Sequence, residues 1–376
     1  MKEKLFNLSV VAVCLGYSIA LIPGNTSPLI VGGLIAGLGL GIAETGMVLS
    51  SELILMGITA TALATKMADI DARKACLTGA CLLFLGHSLA AMADSIEQVL
   101  LYRSMAGIGA GFVLASVNAT IAGAPNPTKL YGFTMMAPPL IGFVIAFLMS
   151  RGIASFAHAG AYGVLALLTL LVIPFLLAFP DYRVNKDTEL PEPLKEYGPG
   201  IALLITIFIT GASMMAYFAF VERLGVRLGL SIEQVGNIFA WVVLAGAFGA
   251  GLAGLLENRF GHILPLIVGL FVHSSAMIVA IEIVSLPAYI VATLLEGFTL
   301  VYSLTFLFAL SASLDRHGRW AAAAGGAFSL SLGVGPFIGG TIIEFASFSA
   351  ISVLIIFSTL TTFALLAWIA TQISSK

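Results

Sequence analysis

Three charged side chains stand inside long apolar stretches of this sequence. Arg103 lies in Leu100-Leu101-Tyr102-Arg103-Ser104, Glu52 in Ser50-Ser51-Glu52-Leu53-Ile54, and Glu296 in Leu294-Leu295-Glu296-Gly297. A charge at the centre of a hydrocarbon layer costs about 3 kcal/mol or more unless it faces protein, water or an opposite charge. Each residue is therefore a candidate for moving protons or balancing the charge of a ligand. Counting inward at about 1.5 Å per residue places Glu52 and Arg103 at similar depth on neighbouring helices, which predicts a direct or water-bridged pair whose protonation couples to conformation. Glu296 is predicted to accept a proton or a cationic group, or else to hydrogen-bond as a neutral acid between helices.

These residues need a membrane scaffold to position them. Of 376 residues, 59% are hydrophobic and 10% charged, and mean hydropathy is +1.06. A water-soluble shell needs far more polar cover than that. Apolar runs long enough to cross about 30 Å of hydrocarbon recur along the chain. They predict an all-α membrane protein with about twelve transmembrane helices, near 5–30, 43–65, 75–93, 96–121, 130–150, 157–179, 199–221, 232–255, 263–283, 287–311, 320–343 and 347–371. The first apolar segment lacks the cleavage pattern of a signal peptide and is read as a membrane helix. Residues 181–198 form the one substantial polar connection, so the expected organisation is a six-helix half over 1–180, a cytoplasmic linker, and a second half over 199–376.

Of the 17 Lys and Arg residues, thirteen fall on one side of this arrangement, and Arg151, Arg223 and Arg227 fall on the other. The positive-inside rule then puts both termini in the cytoplasm. A net charge of −2 without a basic stripe argues against a nucleic-acid partner. Cys14, Cys76 and Cys81 lack metal-ligand or redox spacing and read as packing residues. There is no phosphate-binding loop, clustered catalytic set or cofactor motif, so neither an enzyme nor an ATP-driven pump is expected. No metal or cofactor is predicted.

The sequence also repeats itself. Leu38-Gly-Leu-Gly-Ile-Ala-Glu-Thr-Gly46 corresponds to Leu228-Gly-Leu-Ser-Ile-Glu-Gln-Val-Gly236 at an offset of 190, and Gly107 corresponds to Gly297 at the same offset. Thr65 to Arg73 matches Gly254 to His262, and Pro139 and Gly142 match Pro336 and Gly339. Correspondences in one order imply a six-helix unit used twice in parallel, giving two pseudo-symmetric bundles with a solute site near the midplane.

The loop after the second helix reads Thr65-Lys66-Met67-Ala68-Asp69-Ile70-Asp71-Ala72-Arg73-Lys74, and its second copy reads Gly254-Leu-Leu-Glu257-Asn258-Arg259-Phe-Gly261-His262. The fourth helix carries Arg103 followed by Gly107, Gly109 and Gly111. In these segments the chain resembles the major facilitator superfamily of transporters. Asp69, Arg73 and Lys74 match the family's cytoplasmic loop signature, while Thr65, Ile70 and Ala72 depart from it. In the second copy Arg259 matches and Asn258 replaces the acid. Arg103 and Gly107 match the helix-four signature, with Ala106 in place of its glutamine.

The resemblance implies a secondary transporter of a small organic solute working by alternating access, with the loop residues gating the cytoplasmic face. It implies a cavity lined by helices one, four, seven and ten, which makes Tyr17, Asn25, Tyr217 and Tyr302 the expected lining beside Arg103 and Glu296. Trp241 is read as packing or interface anchoring, and His87 and His273 as peripheral packing residues. Proton-coupled antiport or efflux is the first expectation. Symport or facilitated uptake is the alternative, and a non-transporting sensor or assembly factor is the reading from another class. Gly333-Val-Gly-Pro336-Phe-Ile-Gly-Gly340 is similar to an element that antiporters of the family carry in helix five, but here it stands in helix eleven. A monomer in a bacterial inner membrane, with protons, solute and lipid as its partners, completes the expectation.

Overall fold

A computed structural model describes residues 2–64, 66–67, 69–180, 197–314 and 319–374. The expected linker lies almost wholly outside the described residues, as do the side chains of Asn258 and Arg259. The described residues are helical throughout, and the chain divides into two compact units, Met1–Glu189 and Leu190–Lys376.

In the first unit, α1 (Lys2–Asn25) and α2 (Ser27–Leu38) form one interrupted crossing, followed by α3 (Ile42–Ala64), α4 (Ala72–Ala90), α5 (Ile96–Ala122) and the long α6 (Pro127–Leu176). α6 is two crossings joined by a kink at Ala157, whose φ is 49°. In the second unit, α7 (Tyr197–Phe218) and α8 (Val221–Arg227) form an interrupted crossing, followed by α9 (Ile232–Phe260), α10 (Ile263–Glu282), α11 (Leu286–Ser313), α12 (Arg319–Phe345) and α13 (Phe348–Ser374). Among the described residues, counting α1 with α2, α7 with α8, and α6 twice gives twelve crossings, and ten helical spans are long and apolar enough to cross a membrane.

Helix one runs well past its expected end at residue 30, to Leu38, and helix seven runs past 221 to Arg227. Arg223 and Arg227, expected in an outer loop, belong to α8. The reason is local. Pro28 has no N–H for the Gly24 carbonyl four residues earlier. The Ser27 hydroxyl donates to that carbonyl at 2.6 Å, and Thr26 donates to the Ile22 carbonyl at 2.9 Å. The backbone stays satisfied through the interruption, so the crossing continues.

The two units share structural details as well as sequence. Gly39 and Gly229 both adopt left-handed backbone, with φ of 64° and 85°, and turn the chain into the next helix. There the Glu44 carboxylate accepts from the Gly41 N–H at 2.8 Å, and the Gln234 side chain accepts from the Ser231 N–H at 2.9 Å. Ser231 completes a reciprocal capping box that Gly41, lacking a side chain, cannot.

Packing follows the same symmetry. A Cβ on Gly107 of α5 would collide with the Glu52 backbone of α3, and one on Gly297 of α11 would lie 2.5 Å from the Val242 carbonyl of α9. In α12, Gly335 and Gly339 press against the backbone of Ala212 and Ala216 in α7. Small residues at such crossings let helices approach closely where lipid supplies no hydrophobic drive for association. The glycine–proline element of helix eleven thus serves the α7–α12 contact.

Candidate functional site

In the first unit, α3 and α5 cross at Gly107, and this close approach brings Glu52 and Arg103 into a salt bridge with side chains 1% and 0% exposed. The Arg103 guanidinium also lies over the Tyr162 ring, 5.4 Å from its centroid, and the His87 ring stacks with the same Tyr162 ring at 6.5 Å and 14°. The cluster therefore draws on α3, α4, α5 and the second half of α6. Arg103 Nε and Nη2 have no hydrogen-bond acceptor among the described residues, and neither does either nitrogen of His87. A planar guanidinium has five N–H donors. One carboxylate and one aromatic face leave part of that capacity for water or for an anionic group.

His87 and Tyr162 were not legible as members of this cluster, because His87 reads as a peripheral packing residue and nothing in the sequence singles out Tyr162. The sign available was a histidine following Gly86 on an otherwise apolar helix.

At the positions equivalent to Glu52 and Arg103, the second unit has Val242 and Thr293, both buried. Its acid is displaced one turn of α11 to Glu296, which is 1% exposed, with neither carboxyl oxygen hydrogen-bonded among the described residues. Tyr217 of α7 is its electrostatic neighbour, with Thr293 close to the phenol. The Tyr289 hydroxyl donates to the Val221 carbonyl at 3.2 Å, tying α11 to the interruption between α7 and α8. Just beyond lies Glu222, 0% exposed, with both carboxylate oxygens held by the neighbouring Arg223. Sequence reasoning missed Glu222 because helix seven was ended at 221.

The other expected residues are dispersed. Tyr17 is half-buried and donates to Met135 Sδ at 3.7 Å. Asn25 is half-buried at the end of α1. Tyr302 is 7% exposed within the apolar core of the second unit, against Phe306 at 5.1 Å. Its place in helix ten is opposite the backbone of Gly269, and the ring fills the space that glycine leaves. Trp241 is 56% exposed.

In the loop between α3 and α4, Asp71 rather than Asp69 caps a helix: its carboxylate accepts from the Lys74 N–H at 3.0 Å. Asp69 is exposed, and Lys74 is 83% exposed, 4.0 Å from Asp71. Arg73 Nε donates to the Phe179 carbonyl at 2.7 Å, fastening the start of α4 to the chain just beyond α6. The Lys74 N–H holds the Asp71 carboxyl below its ordinary range. A lowered folded-state value means the contribution is full above the unfolded value near ~3.9 and is lost as pH falls through the folded one. Asp71→Asn, itself a good cap, should remove this acid dependence while keeping the helix start. Asp71→Ala should lose both, read by thermal unfolding between neutral and acid pH.

No protein-family model matches the sequence, and no curated protein matches it. Solved structures do match in fold. A nucleoside transporter, NupG, superimposes with a TM-score of 0.74 at 15% identity, covering 96% of this chain and 98% of that one. A D-xylose–proton symporter gives 0.75 at 15% identity over 97% of each chain. A bacterial homologue of the human lysosomal transporter Spinster, in an inward-facing conformation, gives 0.71 at 16% identity over 99% of this chain and 96% of that one. The chain has the fold of the major facilitator superfamily transporters.

Proposed function

We propose that this protein is a secondary active transporter that exchanges a small organic solute for protons by alternating access, with Glu296 as the proton-carrying group. The observation that carries the reading is Glu296 itself, a carboxyl buried in a membrane helix with no hydrogen bond or cation beside it among the described residues. An ionised carboxylate left so would be very costly. Contact with water and enclosure in the helix bundle therefore demand different charge states, which is the requirement for linking proton movement to a conformational cycle.

A single carboxyl that takes either a proton or a cationic or hydrogen-bonding group of the solute, and not both at once, couples the two as exchange. The Glu52–Arg103 pair is already self-neutralised and acts as a structural and charge-balancing element. Tyr217, beside Glu296, and Tyr17 and Asn25, on the interrupted first crossing, are the proposed lining of the solute path. Asp69, Arg73 and Lys74, with Asn258 and Arg259 in the second copy, are the proposed cytoplasmic gate. The protein is proposed to work as a monomer in the bacterial inner membrane with both termini cytoplasmic.

The test is solute and proton flux in proteoliposomes under an imposed pH gradient, with lipophilic cations, nucleosides and pentoses as the solute panel. The expected result is a solute whose movement drives protons the opposite way. In Glu296→Gln, solute counterflow should continue while its proton flux falls to that of protein-free vesicles. Protons moving in the same direction as solute would convert the reading to symport. Undiminished proton coupling in Glu296→Gln would remove that residue from the mechanism.

A further inference from the structure

Inside the second unit, away from the Glu52–Arg103 cluster, a small cavity lies between α7, α10 and α13. It is just large enough for a single water. Six of its ten lining residues carry hydroxyls. Thr210 and Thr362 pair at 3.0 Å, using one of their two hydrogens. Ser358 lies 2.9 Å from the Ile355 carbonyl and 2.8 Å from Ser213; with its hydrogen on the carbonyl, as in Thr359, it accepts from Ser213, whose own hydrogen is then used. Thr359 donates to the Ile355 carbonyl and so accepts from Ser274 at 2.7 Å.

His273, 1% exposed, contributes the remaining polar group. The Thr299 hydroxyl is committed to the carbonyls of Leu295 at 2.7 Å and Glu296 at 3.2 Å. It must therefore accept from His273, whose Nδ1 lies 3.1 Å away. That contact fixes the tautomer: Nδ1 carries the hydrogen, and Nε2 is a bare acceptor. Nε2 has no partner among the described residues.

We propose that this cavity is a built water site, in which one water donates to His273 Nε2 and accepts the free hydrogen of the Thr210–Thr362 pair. The set supplies the two to four polar partners that a buried water requires. The donor atoms would also surround a small monovalent cation, but no carboxylate lines the cavity, and an unbalanced charge in these surroundings is costly. Water is the ligand the chemistry selects. The hydrogen-bond chain runs from water through His273 and Thr299 to the carbonyl of Glu296, which makes His273 a positioning residue for that turn of α11. This last connection rests on the transport reading above; the water site does not.

Radiolytic hydroxyl-radical labelling tests the site directly, because Met214 and Met277 line the cavity at 4% and 2% exposure. An enclosed water should make both oxidise several-fold faster than Met56 and Met149, which are equally buried in the first unit. His273→Asn keeps a donor where Nδ1 stands and loses the acceptor at Nε2, so its labelling should drop to the reference rate. His273→Gln reaches the Nε2 position and should retain labelling while losing the Thr299 bond. If Met214 and Met277 label no faster than the references, or if the Asn and Gln variants behave alike, the water site is overturned. A fall in labelling when sodium chloride replaces N-methylglucamine chloride at equal ionic strength would assign the cavity to a cation instead.

Discussion

Arg103→Ala should destabilise the protein by about 3–5 kcal/mol, the cost of leaving a buried partner charge uncompensated. Glu52 would remain 1% exposed at the α3–α5 crossing with no cation to meet it. Tyr162 would face the space the guanidinium leaves. Glu52→Ala alone should cost a similar amount, since it strands a buried guanidinium. The protein itself supplies the compensating design, because the equivalent places in its second unit hold Val242 and Thr293. The double variant Glu52→Val with Arg103→Thr should recover part of the loss, since removing both members of the pair leaves no buried charge stranded. Thermal unfolding in detergent of the two single variants and the double variant measures this. Additive losses in the double variant would show that the residues do not act as a pair. If the double variant is stable and still couples protons to solute, the pair is architectural; if it is stable and inactive, the charges take part in the cycle.

Gly107→Ala should be comparably damaging although it adds one methyl group. Its Cβ would fall on the backbone of Glu52, which a rotamer change cannot move aside. Forcing α3 and α5 apart costs about 1–3 kcal/mol by overpacking, and the separation also stretches the ion pair one turn away. The total should exceed that range and approach the loss from Arg103→Ala. Gly132→Ala is the control: a Cβ there meets nothing within 4 Å, and replacing a helical glycine by alanine gains up to about 1 kcal/mol. The comparison requires expression level and unfolding temperature for the two variants side by side. Equal behaviour would mean that the α3–α5 crossing has more slack than its backbone contact implies.

Hydrophobic run length made the helices legible, because every crossing must satisfy its own backbone in lipid. The repeat was legible through Gly39 and Gly229, whose turn geometry constrains residue type in both copies. The depth of Glu52 and Arg103 was readable from their distance to the helix ends. Sequence did not show what depends on rotation about a helix axis. His87 and Tyr162 reach Arg103 because of the faces that α4 and α6 turn inward, and a helix apolar all round gives no sign of which face that is. Rotation matters at Tyr302 as well: its position in helix ten does not reveal that its ring packs against Phe306 in the apolar core. Glu222 was hidden differently, since helix seven resumes as α8 after a two-residue interruption at 219–220 that the apolar run length does not reveal.

The unequal chemistry of the two repeats has an electrical consequence. Glu52 and Arg103 cancel, so displacing the first unit's cluster through the membrane transfers almost no charge. Among the described residues Glu296 has no such partner. A membrane potential acts on an unbalanced charge with about 2.3 kcal/mol per 100 mV across the full layer. On the proposed transport cycle, voltage sensitivity should therefore reside in the second unit, at the carboxyl proposed to carry the proton, while the first unit's cluster is electrically silent.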